Sequence, residues 1–152
     1  MNKITILTAI ILIASSCGGG SGEKSSSGEA PQMDRKAQLR FNQYKVKGKE
    51  IYSTRCAACH QANGEGLENL YPPLKESDYL MEDLGRAACI IKNGQTEEII
   101  VNGKTYNTMM PGVGDLTALE IAEVITYITN EWGNEKGLTG VKDVEQWLKE
   151  CE

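Results

Sequence analysis

A chain of 152 residues, 40% hydrophobic and 24% charged, has room for one ordinary domain with a packed core. Its net charge of −5 and pI of about 5.0 argue against a nucleic-acid partner. An acidic surface better suits docking to a basic patch on another protein.

Residues 1–16 read as a secretory signal: Lys3, an apolar run from Ile4 to Ile13, then Ala14-Ser15-Ser16. The run is too short to cross a bilayer, which takes about 20 residues. It leads to Cys17, and the arrangement resembles the lipobox of bacterial lipoproteins, whose cysteine becomes the acylated first residue. Ala14 stands where that pattern usually has leucine. Residues 17–32, rich in Gly and Ser with scattered Glu and Lys, read as a flexible tether closed by Pro31, with a reach of roughly 20 Å.

Helical character begins at Met33 or Asp34, with Phe41, Tyr44, Gly48, Ile51 and Tyr52 at three- and four-residue spacings. Glycine inside a helix costs about 1 kcal/mol relative to alanine. Close approach of a second helix is one compensation for it at Gly48. The run leads into Cys56-Ala57-Ala58-Cys59-His60, and C-x-x-C-H is the signature of covalent haem attachment. One helical turn sets both sulfurs on the same porphyrin edge and lets the histidine reach the iron. A zinc site would want further Cys or His ligands nearby, and His60 is the only histidine in the chain. A thioredoxin-like dithiol would want a βαβ setting that the pattern lacks.

Beyond His60 come a loop of turn formers, Gln61 to Gly66, and an extended Tyr71-Pro72-Pro73-Leu74 segment. Ser77 or Asp78 suits the cap of a short helix. A helical stretch from Met81 to about Asn93 stops at Gly94. Its Leu84, Ala88 and Ile91 share a face, and Ala87 and Ala88 leave room for a bulky neighbour. Asn102-Gly103, between Glu97–Val101 and Lys104–Tyr106, predicts a small hairpin that delivers the chain to Met109-Met110-Pro111-Gly112. Thr117 and Glu120 form a capping box for a helix reaching about Trp132, with an Ile121, Val124, Ile125, Ile128 stripe. A last amphipathic helix, Val141 to Cys151, sets Val141, Val144, Trp147 or Leu148, and Cys151 on one face and closes back on the body.

With no second histidine, the opposite iron ligand within the chain is a methionine, a lysine or nothing. Met109 and Met110 lie in a loop about fifty residues after His60, and a thioether is a soft ligand that favours Fe(II). Pro111 holds Met110 extended, which favours Met110, with Met109 the alternative. With Cys17 assigned to lipid and Cys56 and Cys59 to haem, Cys89 and Cys151 remain as a disulfide pair in an exported chain.

From Lys45 to Asn134 the chain resembles a monohaem class I cytochrome c of the bacterial exported type. The resemblance rests on Cys56 to His60, Pro72-Pro73-Leu74, Tyr106 to Gly112, and Glu120 to Asn134. It implies an all-α cytochrome c fold, a few helices wrapped around one covalently bound haem with a small hairpin excursion, spanning 33–134. Residues 135–152 form a helical extension packed on that domain. It also implies axial ligation by His60 and Met110, with the Pro72 carbonyl holding the other nitrogen of the histidine ring. Gly48 would face the Ile121 to Ile128 stripe where first and last core helices cross, and Tyr52, Tyr127 and Trp132 would pack there.

The expected function is one-electron transfer rather than catalysis, by a monomer anchored through lipid on the periplasmic side of a membrane. Its redox partners would be a quinol-oxidising complex and a terminal oxidase or nitrite-type reductase. The alternatives are a haem subunit of a larger redox complex and a haem sensor or peroxidase-like protein with a labile methionine.

Overall fold

A computed structural model of the chain describes residues 34–151. The expected signal (1–16), the lipid-bearing Cys17 and the tether (17–32) lie outside the described residues. Asp34 opens the first helix, its carboxylate accepting from the backbone N–H groups of Lys36 and Ala37 at 2.8 and 2.9 Å. Helix α1, Arg35–Arg55, runs to Cys56, and after that single non-helical residue α2 takes Ala57–His60.

The helix expected from Met81 to Asn93 is two helices: α3, Asp78–Glu82, and α4, Leu84–Asn93. The break falls at Asp83, which is extended and whose side chain accepts from the Arg86 N–H at 2.9 Å. An aspartate offers its backbone such a local bond in place of the helix ladder, which favours a cap over a helix interior. Ser77 caps α3 through the Leu80 N–H.

Two small antiparallel pairs follow. Strand β1, Gly94–Gln95, pairs with β4, Met110–Pro111, while β2, Ile99–Val101, and β3, Lys104–Tyr106, form the expected hairpin. Its turn residues Asn102 and Gly103 both take positive φ, 50° and 74°, as a type I′ turn requires.

Helix α5, Ala118–Ile128, starts with the capping box of Thr117 and Glu120 and buries Ile121, Val124 and Ile125 almost completely. It stops at Ile128, four residues short of the expected Trp132. Thr129 Oγ1 and Asn130 Nδ2 donate to the carbonyls of Ile125 and Thr126 at 2.7 and 2.8 Å, and Asn130 also bridges to Gly137. These side-chain bonds tie the exit to the residues that follow, and Trp132 and Gly133 reverse the chain at positive φ.

Helix α6, Val141–Glu150, buries Val144 fully and lays Val141, Trp147 and Leu148 on the core. A disulfide joins Cys89 on α4 to Cys151 just beyond α6, with a Cα separation of 5.5 Å. Helices carry the fold, and α1 crosses α5 at Gly48. Among the described residues no helix is long and apolar enough to cross a membrane.

Candidate functional site

The site begins where α1 ends. The N–H groups of Cys59 and His60 donate to the Cys56 carbonyl at 3.1 and 3.0 Å, so the five-residue motif is wound into one tight turn. Both thiols are free and partly buried. Burial, with a smaller contribution from neighbouring Cys59, pushes the Cys56 thiol up to about 11.

His60 is 7% exposed, and its Nδ1 lies 3.0 Å from the Pro72 carbonyl. A carbonyl only accepts, so Nδ1 carries the proton and Nε2 keeps its lone pair, with no hydrogen bond among the described residues. Burial pulls the imidazole pKa below its ordinary value, against the opposing pull of the Pro72 carbonyl. The ring is thereby held neutral, the form that binds a metal.

Gly66 sets the position of that carbonyl. Its φ is +68°, and a Cβ there would lie 2.2 Å from the Tyr71 oxygen and 2.7 Å from the Pro72 oxygen. Only glycine permits this backbone approach. The Gly66 N–H donates back to the His60 carbonyl, and the Gly64 carbonyl accepts from Leu74 and Lys75, closing the loop on itself. Sequence reasoning saw this stretch as a generic turn-rich loop; the paired glycines at 64 and 66 were the available signal.

His60 opens onto a cleft of about 690 Å³ with apolar walls that include Tyr52, Leu80, Ile90, Val101 and Val124. A neighbouring lobe of about 510 Å³ shares His60, Pro72, Ile90, Ile99 and Met110 and adds Cys59 and Met109. Ala87 lines the cleft, and Ala88 is fully buried in the helical core. The hairpin does more than deliver the chain: Ile99 and Val101 turn inward as cleft wall while Ile100 is 60% exposed.

Met110 lines both lobes; Met109 lines only the second and is 63% exposed. Consecutive residues of an extended segment point to opposite sides, which separates the two sulfurs. The pairing of Gln95 with Met110 and of Gly94 with Pro111 fixes this segment, which sequence reasoning missed because a two-residue pair leaves no periodic trace. The Val113 N–H donates to the Ile91 carbonyl at 2.8 Å, and Lys92 Nζ donates to the carbonyls of Gly114 and Leu116 at 2.7 and 2.8 Å. The end of α4 thus clasps the methionine loop.

These residues fit a haem. Two thiols sit one turn apart, a buried neutral imidazole has one nitrogen committed and one open, and the walls are apolar. Among the described residues no cluster of three or more His, Cys, Asp or Glu offers a competing metal site.

A profile of the cytochrome c family matches residues 46–132. The chain is 36% identical over 99 residues to cytochrome c-552 of Thermus thermophilus, a match covering 62% of this chain and 75% of that protein. It is 30% identical over 95 residues to the cytochrome c subunit of the quinone alcohol dehydrogenase of Gluconacetobacter polyoxogenes, covering 61% of this chain but 20% of that subunit. The fold, the apolar cleft with its C-x-x-C-H turn, and these similarities agree: the chain belongs to the cytochrome c family, electron carriers that hold haem c covalently.

Proposed function

We propose that Cys56 and Cys59 bind the haem through thioethers, that His60 and Met110 ligate its iron, and that the protein shuttles single electrons between membrane-associated respiratory partners. The observation that carries this reading is the pairing of His60, its Nδ1 committed to Pro72, with Met110 on one apolar cleft. Bound haem supplies a one-electron Fe(III)/Fe(II) couple. Pro72 orients the imidazole and raises its basicity. The apolar walls exclude water, and the clasp from α4 keeps the Met110 sulfur from drifting. With His60 and Met110 both holding the iron, no site would be open to a substrate, and electron exchange would be the chemistry left.

The partners in this reading are a quinol-oxidising complex upstream and a terminal oxidase or nitrite-type reductase downstream. The chain works as a monomer on the periplasmic side, held by an acylated Cys17 through residues 17–32, with the haem domain at 33–134 and the extension at 135–152. The reduced protein is expected to titrate as a single one-electron wave and to bind CO slowly, because Met110 must first leave. Rapid CO binding would sink the six-coordinate carrier and favour a sensor or peroxidase-like protein.

The Cys89–Cys151 bridge pins the extension across a sequence separation of 62, worth about 4 kcal/mol in the loop-entropy model. Thiol alkylation without reduction should add no mass at either cysteine; uptake at either rules the bridge out.

The similarity to the alcohol dehydrogenase cytochrome subunit favours a second reading, a haem subunit fixed in a larger redox complex. Trp147 and Leu148, which that reading would offer for docking, pack on this chain's own core. Gradient fractionation of a membrane extract decides between the two. Recovery only in one large complex would end the free-shuttle reading.

A further inference from the structure

Beyond Ile128 the chain turns back over the loop that follows His60, and Asn134 is where the two meet. Its side chain is 8% exposed, and its Nδ2 lies 2.8 Å from the Leu74 carbonyl and 2.7 Å from the Ile128 carbonyl. A carbonyl only accepts, so the amide nitrogen faces both, and each of its two N–H groups is committed. One bond serves the end of α5, where the last carbonyls have no partner within the helix. The other crosses 60 residues of sequence to the segment whose Pro72 carbonyl holds His60.

Little slack separates Leu74 from the Pro72 carbonyl, since the proline rings at 72 and 73 fix φ at both positions. The Leu74 N–H donates to the Gly64 carbonyl at 2.8 Å, so both backbone groups of Leu74 are committed, one inside the loop and one outside it. Trp132 backs the same place: a Cβ on Gly64 would lie 2.4 Å from Cε3 of its ring. At the other end of the loop the Tyr52 hydroxyl donates to the Gln61 carbonyl at 2.6 Å. The bonds among Gly64, Leu67, Tyr71 and Leu74 lie within the loop and would let it shift as one piece. The Asn134 bond joins its Pro72 end to α5.

We propose that Asn134 is a positioning residue for His60: it holds the Pro72 carbonyl against Nδ1 and so helps to set the potential of the iron. The proposal rests on His60 as an iron ligand and extends to a residue that stands outside the cleft walls. A hydrogen bond weakens steeply as its geometry departs from the optimum, so a small drift of the segment is enough to matter. The bond to Pro72 makes the imidazole a more basic ligand, which favours Fe(III). A looser carbonyl therefore raises the potential.

The test uses the haem-loaded chain with Asn134→Leu and Asn134→Ala; one fills the site, the other leaves a gap, and both lack the donor. Exchange of the His60 Nδ1–H with deuterated solvent, followed by NMR of the reduced protein, should run about tenfold faster or more in both variants. Their potential should rise while the far-red band persists, because the Met110 clasp is untouched. Asn130→Leu is the comparison, since it removes the bonds to the Thr126 and Gly137 carbonyls at the same helix end. It should lower the urea midpoint and leave His60 exchange and potential at the parent's values. Exchange and potential unchanged in both Asn134 variants, or changed as much in Asn130→Leu, overturns the proposal and leaves Asn134 a helix-end cap. His60 ring protons in the reduced parent without the large upfield shift of a ring lying over haem would instead fail the ligation by His60, and this proposal with it.

Discussion

Replacing Met110 with alanine should abolish the weak far-red band of the ferric protein and lower its potential by on the order of 0.1 V or more, within the ~0.8 V that axial ligands span. The expectation rests on how the loop is held. Pairing of β4 with β1, the Val113 to Ile91 bond and the two Lys92 bonds fix the backbone on either side of the methionine. Gly94 and Gly112 make that clasp possible, because a Cβ on either would lie under 3.0 Å from backbone of the facing segment. Met109→Ala, at a side chain 63% exposed, should keep the band and the potential. Met110→His should keep the iron six-coordinate while losing the band and lowering the potential. The assignment fails if the band survives Met110→Ala and disappears in Met109→Ala.

What the sequence made legible, and what it hid, follows from where each feature is encoded. Cys56 to His60 could be read because haem attachment demands residue types at one spacing. Asn102-Gly103 could be read because a two-residue hairpin demands positive φ at both positions, and these residues supply it. The end of α5 could not be read. The apolar stripe continues to suggest helix, while Thr129 and Asn130 turn the chain through bonds to Ile125, Thr126 and Gly137. Trp132 at φ +54° is still less legible, since a bulky residue takes that conformation only when its surroundings hold it. Here Tyr52 and Tyr127 hold its ring at centroid distances of 5.1 and 5.5 Å. Gly66 acts against the backbone of Tyr71 and Pro72, and Lys92 through the carbonyls of Gly114 and Leu116, contacts that exist only in the fold and that no local pattern announces.

Gly48→Ala should destabilise the holoprotein by about 2 kcal/mol or more, in the upper part of the range for overpacking. A Cβ at this position would lie 2.1 Å from the Glu123 carbonyl oxygen, 2.7 Å from its carbonyl carbon and 2.7 Å from the Tyr127 Cβ. The nearest obstacles are backbone, so no rotamer change relieves them and α1 must move away from α5. Two effects oppose each other, and their sizes decide the sign. Alanine gains about 1 kcal/mol over glycine in helix propensity, while separating the helices loosens a core in which Tyr52, Ile121 and Val124 are at most 1% exposed. Packing wins because the contact runs through the centre of the largest helix pair. The loss should also reach the haem, since the Tyr52 hydroxyl donates at 2.6 Å to the carbonyl of Gln61, the residue after His60. Urea titration of the ferric protein, followed by circular dichroism and by the far-red band, measures both effects. A midpoint equal to or above that of the parent would mean that propensity, not the crossing, governs position 48.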